Sequence, residues 1–262
     1  MLVIKFKPIS NNLKKFIISL KDKKKRKETG LFIAEGFKLC EELYNSKYPT
    51  ELIVVDGSAN ENTLELARKF HDRSVEVYTA RHSQFIQLCE TETPQGILAV
   101  ARSEKIEVPF EYPIVVLDGI SDPGNFGTII RTADWFGVRT IITSTDSVEK
   151  YNPKVIRGSM GSFFRVNVIQ KENLLEFIKK RKAEAKVFAG SLDAQLPLRK
   201  ISFPKNSILI FGNEARGISE NILKQVHTKF KIEGTGSAES LNLAISVGIV
   251  LYKFFLENRW GK

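Results

Sequence analysis

Cysteine and histidine are scarce in this chain: Cys40 and Cys89, and His71, His82 and His227, are all it holds among 262 residues. No two of them stand at CxxC or ligand-pair spacing, so neither a disulfide framework nor a zinc site is expected. The histidines read as surface or packing residues. No GxGxxG follows an apolar strand and no GxxxxGK[ST] occurs, which leaves little behind a nucleotide-dependent oxidoreductase. Long apolar runs are missing too. The longest, 241–256, is broken by Asn242, Ser246 and Lys253 and reads as a buried helix rather than a membrane span. The opening MLVIKFKPIS is charged too early to hold a signal-peptide core. A reducing, cytoplasmic setting is expected, with no membrane and no metal.

What the chain does have is positive charge in one place. Its formal net charge is +10. Ten Lys/Arg stand against Asp22 and Glu28 in the first thirty residues, a local net of +8. Lys23, Lys24, Lys25, Arg26 and Lys27 form its densest part. Such a cluster is the footprint of a polyphosphate partner such as RNA; a solvated helix end looks the same by charge alone. With 42% hydrophobic and 27% charged residues, the chain should bury a real core and stay soluble, at a length that suits two domains.

Pattern supports that division. Over residues 1–103, helices are expected near 11–20 and 36–44, where Phe37, Leu39, Cys40, Leu43 and Tyr44 recur at helical spacing. Short β runs fall at 52–55, 75–78 and 97–100. Residues 104–113 lie in a charged stretch with two prolines and serve as the expected linker. From residue 114 to 262, β runs (IVVL, TIIT, VNVI, KVFAG, ILIFG) alternate with helix-length segments. That alternation implies an α/β domain with a mostly parallel sheet covered on both faces.

Three stretches of this second half are polar where a fold alone has no need of it: LDGISDPGNFGTIIRTADWFG (117–137), LIFGNEARGIS (209–219) and GSAESLNLAISVG (236–248). Each follows or adjoins a β run and leads into a helical pattern, where α/β proteins place their chemistry. In the first, Asn125 is a natural N-cap. Phe126, Ile129, Ile130, Ala133 and Phe136 share one stripe, Gly137 suits the helix end, and Arg131 points the other way. Arg131 is then either a solvated charge or a contact to a partner. In the second, Gly212 lets the backbone approach a ligand, and Glu214 sits in a glycine-bounded loop as a surface acid or a hydrogen-bonding group. In the third, Ser237 or Ser240 suits a cap. Asn242 inside the first turn of an apolar helix is a poor structural choice unless a ligand or another loop supplies its partners.

Together the three stretches resemble the motif set of the SpoU/TrmH family of knotted RNA ribose 2′-O-methyltransferases. SLKDKKKRKETGLFIAEGFKLCEEL with TETPQGILAV is similar to the L30e/L7Ae-like RNA-binding domain often fused ahead of them. The resemblance spans essentially the whole chain. It implies S-adenosyl-L-methionine as methyl donor, rRNA or tRNA as substrate, a homodimer with its active site near the subunit contact, and a trefoil knot formed by 187–247. Arg131 is implied as the catalytic arginine, in an NxxxxxR spacing from Asn125, with Glu214, Ser240 and Asn242 beside it. Ala189, Gly190, Leu209, Phe211, Gly212, Ile232 and Leu241 are implied as cofactor contacts. The family commonly has Ile-Pro where this chain has Ile232-Glu233.

A guanidinium is a cation at any ordinary pH. Arg131 is therefore expected to grip the phosphate beside the target ribose and to stabilise the developing alkoxide, while phosphate, water or a transiently neutral arginine takes the proton. The competing reading is a non-catalytic RNA-binding or ribosome-associated protein on the same scaffold. It gives no reason for Asn125, Arg131, Glu214 and Asn242 to occur together.

Overall fold

The computed structural model describes residues 6–103 and 110–258, and the chain divides into two compact units, 1–106 with 149–164, and 107–148 with 165–262. Of the expected linker, residues 104–109 lie outside the described residues; Phe110 and Tyr112 pack on the core of the second unit.

The first unit runs β1 (Lys7–Pro8), α1 (Asn11–Ser19), α2 (Lys23–Thr29), β2 (Leu31–Glu35), α3 (Phe37–Tyr44), β3 (Thr50–Asp56), α4 (Glu61–Asp72), β4 (Glu76–Ala80), α5 (His82–Leu88) and β5 (Ile97–Arg102). Its sheet has the order β1-β4-β3-β5-β2. β4 pairs in parallel with β1 and β3, and β5 pairs antiparallel with β3 and β2. Ile17, Leu20, Ile33, Val54, Phe85, Leu88, Leu98 and Val100 form its core. Two elements have no clear signal in the sequence. β2 follows directly on the lysine cluster, and α2 has no apolar period; it is made instead by its ends. Asp22 accepts the amides of Lys24 (2.6 Å) and Lys25 (3.3 Å) at the start, and Gly30, at φ +67°, ends it.

From residue 114 the chain forms β6 (Ile114–Asp118), α6 (Pro123–Trp135) and β7 (Thr140–Ser144). α7 (Pro153–Gly158) and the 3-10 turn Ser162–Phe164 belong to the first unit. There Phe32 stacks on Tyr151 at 4.8 Å and meets Phe163 edge-on at 6.0 Å. The second unit resumes with β8 (Asn167–Lys171), α8 (Leu174–Arg181), β9 (Lys186–Gly190), β10 (Ser207–Gly212), α9 (Glu220–Leu223), β11 (Thr228–Phe230) and α10 (Leu243–Asn258).

Its six strands are all parallel, in the order β11-β9-β10-β6-β7-β8, as the alternating pattern implied. Because strand side chains alternate between faces, Ile114, Val116, Val187, Ala189, Ile208 and Ile210 share one buried face with Phe177 and Ile178 of α8 and Ile222 of α9. Towards α10, Phe203 bridges Phe188 (4.9 Å) and Phe254 (6.4 Å), and α6 packs beside α10. At roughly 25 cal/mol per Å² of apolar surface buried, such a two-sided core is what fixes the sheet and the positions of its loops. β6, β9, β10 and β11 are neighbours with a common direction, so the segments after Asp118, Gly190, Gly212 and Phe230 all leave from one edge of the sheet. β10, formed after β6 and β9, lies between them.

Candidate active site

The loop after β6 is set by its capping. Asp122, not Asn125, is the N-cap of α6: its Oδ1 accepts the Asn125 amide at 2.6 Å, and Pro123 occupies the first helical position, where no donor is lost. The expectation for Asn125 is corrected accordingly. Released from capping, its side chain reaches out of the helix, where Nδ2 donates to Glu214 Oε1 at 3.0 Å and Oδ1 accepts from Asn242 Nδ2 at 2.9 Å. As expected, Phe126, Ile129, Ile130 and Ala133 are fully buried.

The loop after β10 is closed by its own backbone. Asn213 and Gly217 exchange amide hydrogen bonds of 3.0 and 2.9 Å, and Asn213 Oδ1 accepts the amides of Ala215 (2.9 Å) and Arg216 (3.1 Å). A Cβ on Gly212 would run into the Gly217 carbonyl and the Ile218 nitrogen. The chain's own close approach therefore demands this glycine, rather than a ligand as expected from the sequence. The turn presents Glu214, which takes hydrogen bonds from Asn125 and from Ser121 Oγ (3.1 Å). Partial burial works to raise the Glu214 carboxyl, but the hydrogen bonds from Asn125 and Ser121 outweigh it, and the net shift is downward. It is held as a carboxylate.

Asn242 is exposed and stands immediately before α10 rather than inside its first turn as expected. Its Oδ1 accepts the amides of Ala244 (2.8 Å) and Ile245 (3.3 Å), so it caps the helix in place of Ser237 or Ser240. Its Nδ2 is thereby turned towards Asn125. The result is a chain of hydrogen bonds with one sense: helix amides donate to Asn242, Asn242 to Asn125, and Asn125 to Glu214. The donor-only amides at one end and the acceptor-only carboxylate at the other fix both amide orientations. Glu214 and Asn242 are exposed and Asn125, in the first turn of α6, is half-buried, so a fold gains about 1 kcal/mol or less per such bond. Their assembly from three distant segments points to a built site.

Arg131 is exposed on α6. It stands six residues past Asn125, hence roughly 240° around and ~9 Å along the helix, and no carboxylate among the described residues pairs with it. The structure thus joins Asn125, Glu214 and Asn242 by direct contact and leaves Arg131 exposed further along α6, outside that contact. Trp135, one turn on from Arg131, is 83% exposed. Ser240 lies in the exposed run 233–242.

The implied cofactor residues divide in two. Gly190, Gly212, Ile232 and Leu241 lie at or beyond the carboxyl ends of β9, β10 and β11, where Leu241 (47% exposed) and Leu192 (67%) offer uncovered apolar surface. Ala189 and Leu209 are fully buried and Phe211 nearly so, which leaves them shaping the strand ends from beneath. Glu233, in place of the usual proline, pairs with Arg199 at 2.7 Å. Glycine-lined, partly apolar loops suit an adenosine group with a charged sulfur. Among the basic residues, Lys23, Lys24 and Lys27 are exposed and Lys25 half-buried. Arg26 departs from them: it is 4% exposed, paired with Glu149 at 2.5 Å, and donates to the carbonyls of Leu20 and Lys21. It is a buried strut of the first unit, not a surface contact for RNA.

Residues 112–252 match the SpoU rRNA methylase family, and residues 11–99 match the MRM3-like substrate binding domain. A 23S rRNA (guanosine(2553)-2′-O)-methyltransferase of Bacillus subtilis is 32% identical over 235 residues, covering 89% of this chain and 92% of the relative. Among solved structures, an RNA methyltransferase of the TrmH family from Porphyromonas gingivalis superposes with TM-score 0.83 at 32% identity, over 94% of this chain and 98% of that one. An AdoMet-bound rRNA methyltransferase from Sinorhizobium meliloti superposes with TM-score 0.84 at 28% identity, over 96% and 97%. The family match and these relatives mark the chain as a methyltransferase of the parallel-sheet α/β class. The chain belongs to the SpoU rRNA methylase family.

Proposed function

We propose that this protein transfers a methyl group from S-adenosyl-L-methionine to a ribose 2′-hydroxyl of ribosomal RNA. The observation that carries this reading is the directed hydrogen-bond chain Asn242–Asn125–Glu214, which pins the starts of α6 and α10 to the 213–217 turn, with Arg131 exposed further along α6.

When bound, S-adenosyl-L-methionine supplies an electrophilic methyl group on a sulfonium centre. The loops carrying Gly190, Gly212, Ile232 and Leu241 would hold it, through backbone groups and apolar contact. The ionised Glu214 orients Asn125, and Asn125 and Asn242 fix the shape of the site without titrating. Methyl transfer needs mainly alignment of donor and ribose oxygen. Arg131 grips a phosphate of the RNA, which places the adjacent hydroxyl, and its charge stabilises the alkoxide that develops there. The lysines of α2 add electrostatic attraction for the RNA backbone.

The active form in this reading is a homodimer. Ile245, Ile249, Tyr252, Phe255 and Leu256 leave one side of α10 exposed, and Trp135 extends that apolar surface from α6. A second copy covering it would lie close to Arg131 and complete the site, since so large an apolar patch is unusual on a monomer. The insertion of β10 between strands already laid down supports threading of residues 187–247 as a knot, against ordinary topology rules. Two buried, unpaired cysteines suit a reducing, cytoplasmic setting. Calorimetric titration with S-adenosyl-L-methionine tests the assignment: a methyltransferase binds it at one site per chain, and a pure RNA binder gives no heat of binding.

A further inference from the structure

Arg216 and Asp146 form an ion pair that is a member of neither the buried core nor the Asn242–Asn125–Glu214 hydrogen-bond chain. Arg216 Nη2 donates to Asp146 Oδ2 at 2.5 Å, although both side chains are more than half exposed (66% and 51%). A pair so exposed adds little to stability, so its placement carries the argument. Asp146 Oδ1 accepts from Ser144 Oγ at 2.6 Å, and that same hydroxyl oxygen accepts the Gly119 amide at 2.8 Å. Ser144 is 8% exposed and further contacts Ser147 Oγ at 3.1 Å. On its other side, the Gly119 carbonyl accepts from Asn213 Nδ2 at 2.7 Å.

The Gly119 peptide is therefore gripped from both ends, and the ion pair passes directly over it. A Cβ at Gly119 would stand 2.6 Å from Arg216 Nη2 and 3.1 Å from Asp146 Oδ2. Three loops meet here: the one after β6, the one after β7 and the 213–217 turn. The turn carries Glu214 two residues before Arg216.

We propose that Asp146 and Arg216 are positioning residues: their ion pair clamps the 213–217 turn to the loops after β6 and β7, and so sets the place of Glu214 relative to Asn125. This rests on the methyltransferase reading given above. Hydrogen bonds from Ser144 and from Arg216 hold the Asp146 carboxyl below its ordinary range, so the clamp stays charged at every working pH.

The test uses Asp146→Asn, Arg216→Met, the double variant and Arg216→Lys in the full chain, with two measurements. Backbone amide exchange at Ala215 and Gly217 is followed without cofactor or RNA. The clamp predicts exchange roughly tenfold faster in each single variant, no further gain in the double variant, and near-normal protection in Arg216→Lys. Methyl transfer to rRNA is then assayed at saturating donor. Misplacement of Glu214 predicts a fall in kcat on the order of 10²-fold with KM for RNA unchanged. Unchanged exchange in both single variants overturns the clamp. A rise in RNA KM confined to Arg216→Met overturns it as well, because Arg216 would then be a phosphate contact. Wild-type protein that binds no donor and transfers nothing refutes the methyltransferase reading, while the exchange measurement still decides the clamp.

Discussion

Asn242 donates its side-chain N–H to Asn125 across 2.9 Å, and that contact ties the start of α10 to the start of α6, 117 residues earlier in the chain. Because Asn125 passes the polarity on to Glu214, one amide side chain stands between two others that depend on it.

Asn125→Ala removes the middle of this relay. The orphaned groups of Glu214 and Asn242 are exposed and can turn to water, so thermal unfolding should shift by less than about 1 kcal/mol. Methyl transfer should fall roughly 10²-fold, the usual loss when one preorganised polar group is removed from such a site. Steady-state kinetics beside a melting curve check both.

Arg131→Ala should leave S-adenosyl-L-methionine binding intact in calorimetry and abolish transfer to RNA, since the role given to Arg131 is on the RNA phosphate rather than on the donor. Arg131→Lys should recover little, because a point charge does not reproduce the planar fork on a phosphate. Unchanged turnover in Arg131→Ala removes the role given to it.

Glu214 carries a pH signature. Its carboxyl in the folded protein lies below the ordinary glutamate value of 4.5, with burial opposing the shift and hydrogen bonds from Asn125 and Ser121 producing it. A carboxyl depressed by folding stabilises the fold above its unfolded value, and that contribution is lost as pH falls through the folded value. The stability difference between wild type and Glu214→Gln should therefore be constant well above pH 4.5 and decline as pH falls from there through the lower folded value. Denaturation midpoints from pH 7 to pH 3 follow the curve.

The basic cluster should separate into two behaviours. Lys23→Glu, Lys24→Glu and Lys27→Glu should weaken RNA binding and flatten its dependence on salt, by about 0.7–0.9 in log–log slope for each phosphate no longer neutralised. Arg26→Met strands Glu149 in a mostly buried site and should instead cost about 3–5 kcal/mol of stability. Filter binding at several salt concentrations, with unfolding curves alongside, distinguishes surface contact from internal strut.

Much of the fold and site is legible in the residues, and the failures have causes. The stripe Phe126, Ile129, Ile130 and Ala133 is readable because a 3.6 period follows the buried face, although Phe136 at its end is only half-buried, and the same period places Arg131 outward. Asn125 reads as a cap, although Asp122-Pro123, an acid followed by proline at the first helical position, is the better signal. Gly212 reads as room for a ligand because the backbone it avoids, at Gly217, comes near only once the turn has closed. β11 is three residues long, too short for any period. Arg26 looks like its neighbours in sequence, and only the fold brings Glu149 to it. Ser121, Asp146 and Arg216 carry no such signal for the same reason: their partners lie 70 to 93 residues away, and pairing across such distances leaves no local pattern.

The most direct measurement of the central claim is a map of ribose 2′-O-methylation in ribosomal RNA from cells with and without this protein, repeated with Arg131→Ala supplied in its place. The account predicts a site that is methylated with the wild-type chain and bare in both other cases. Identical maps in all three would contradict it.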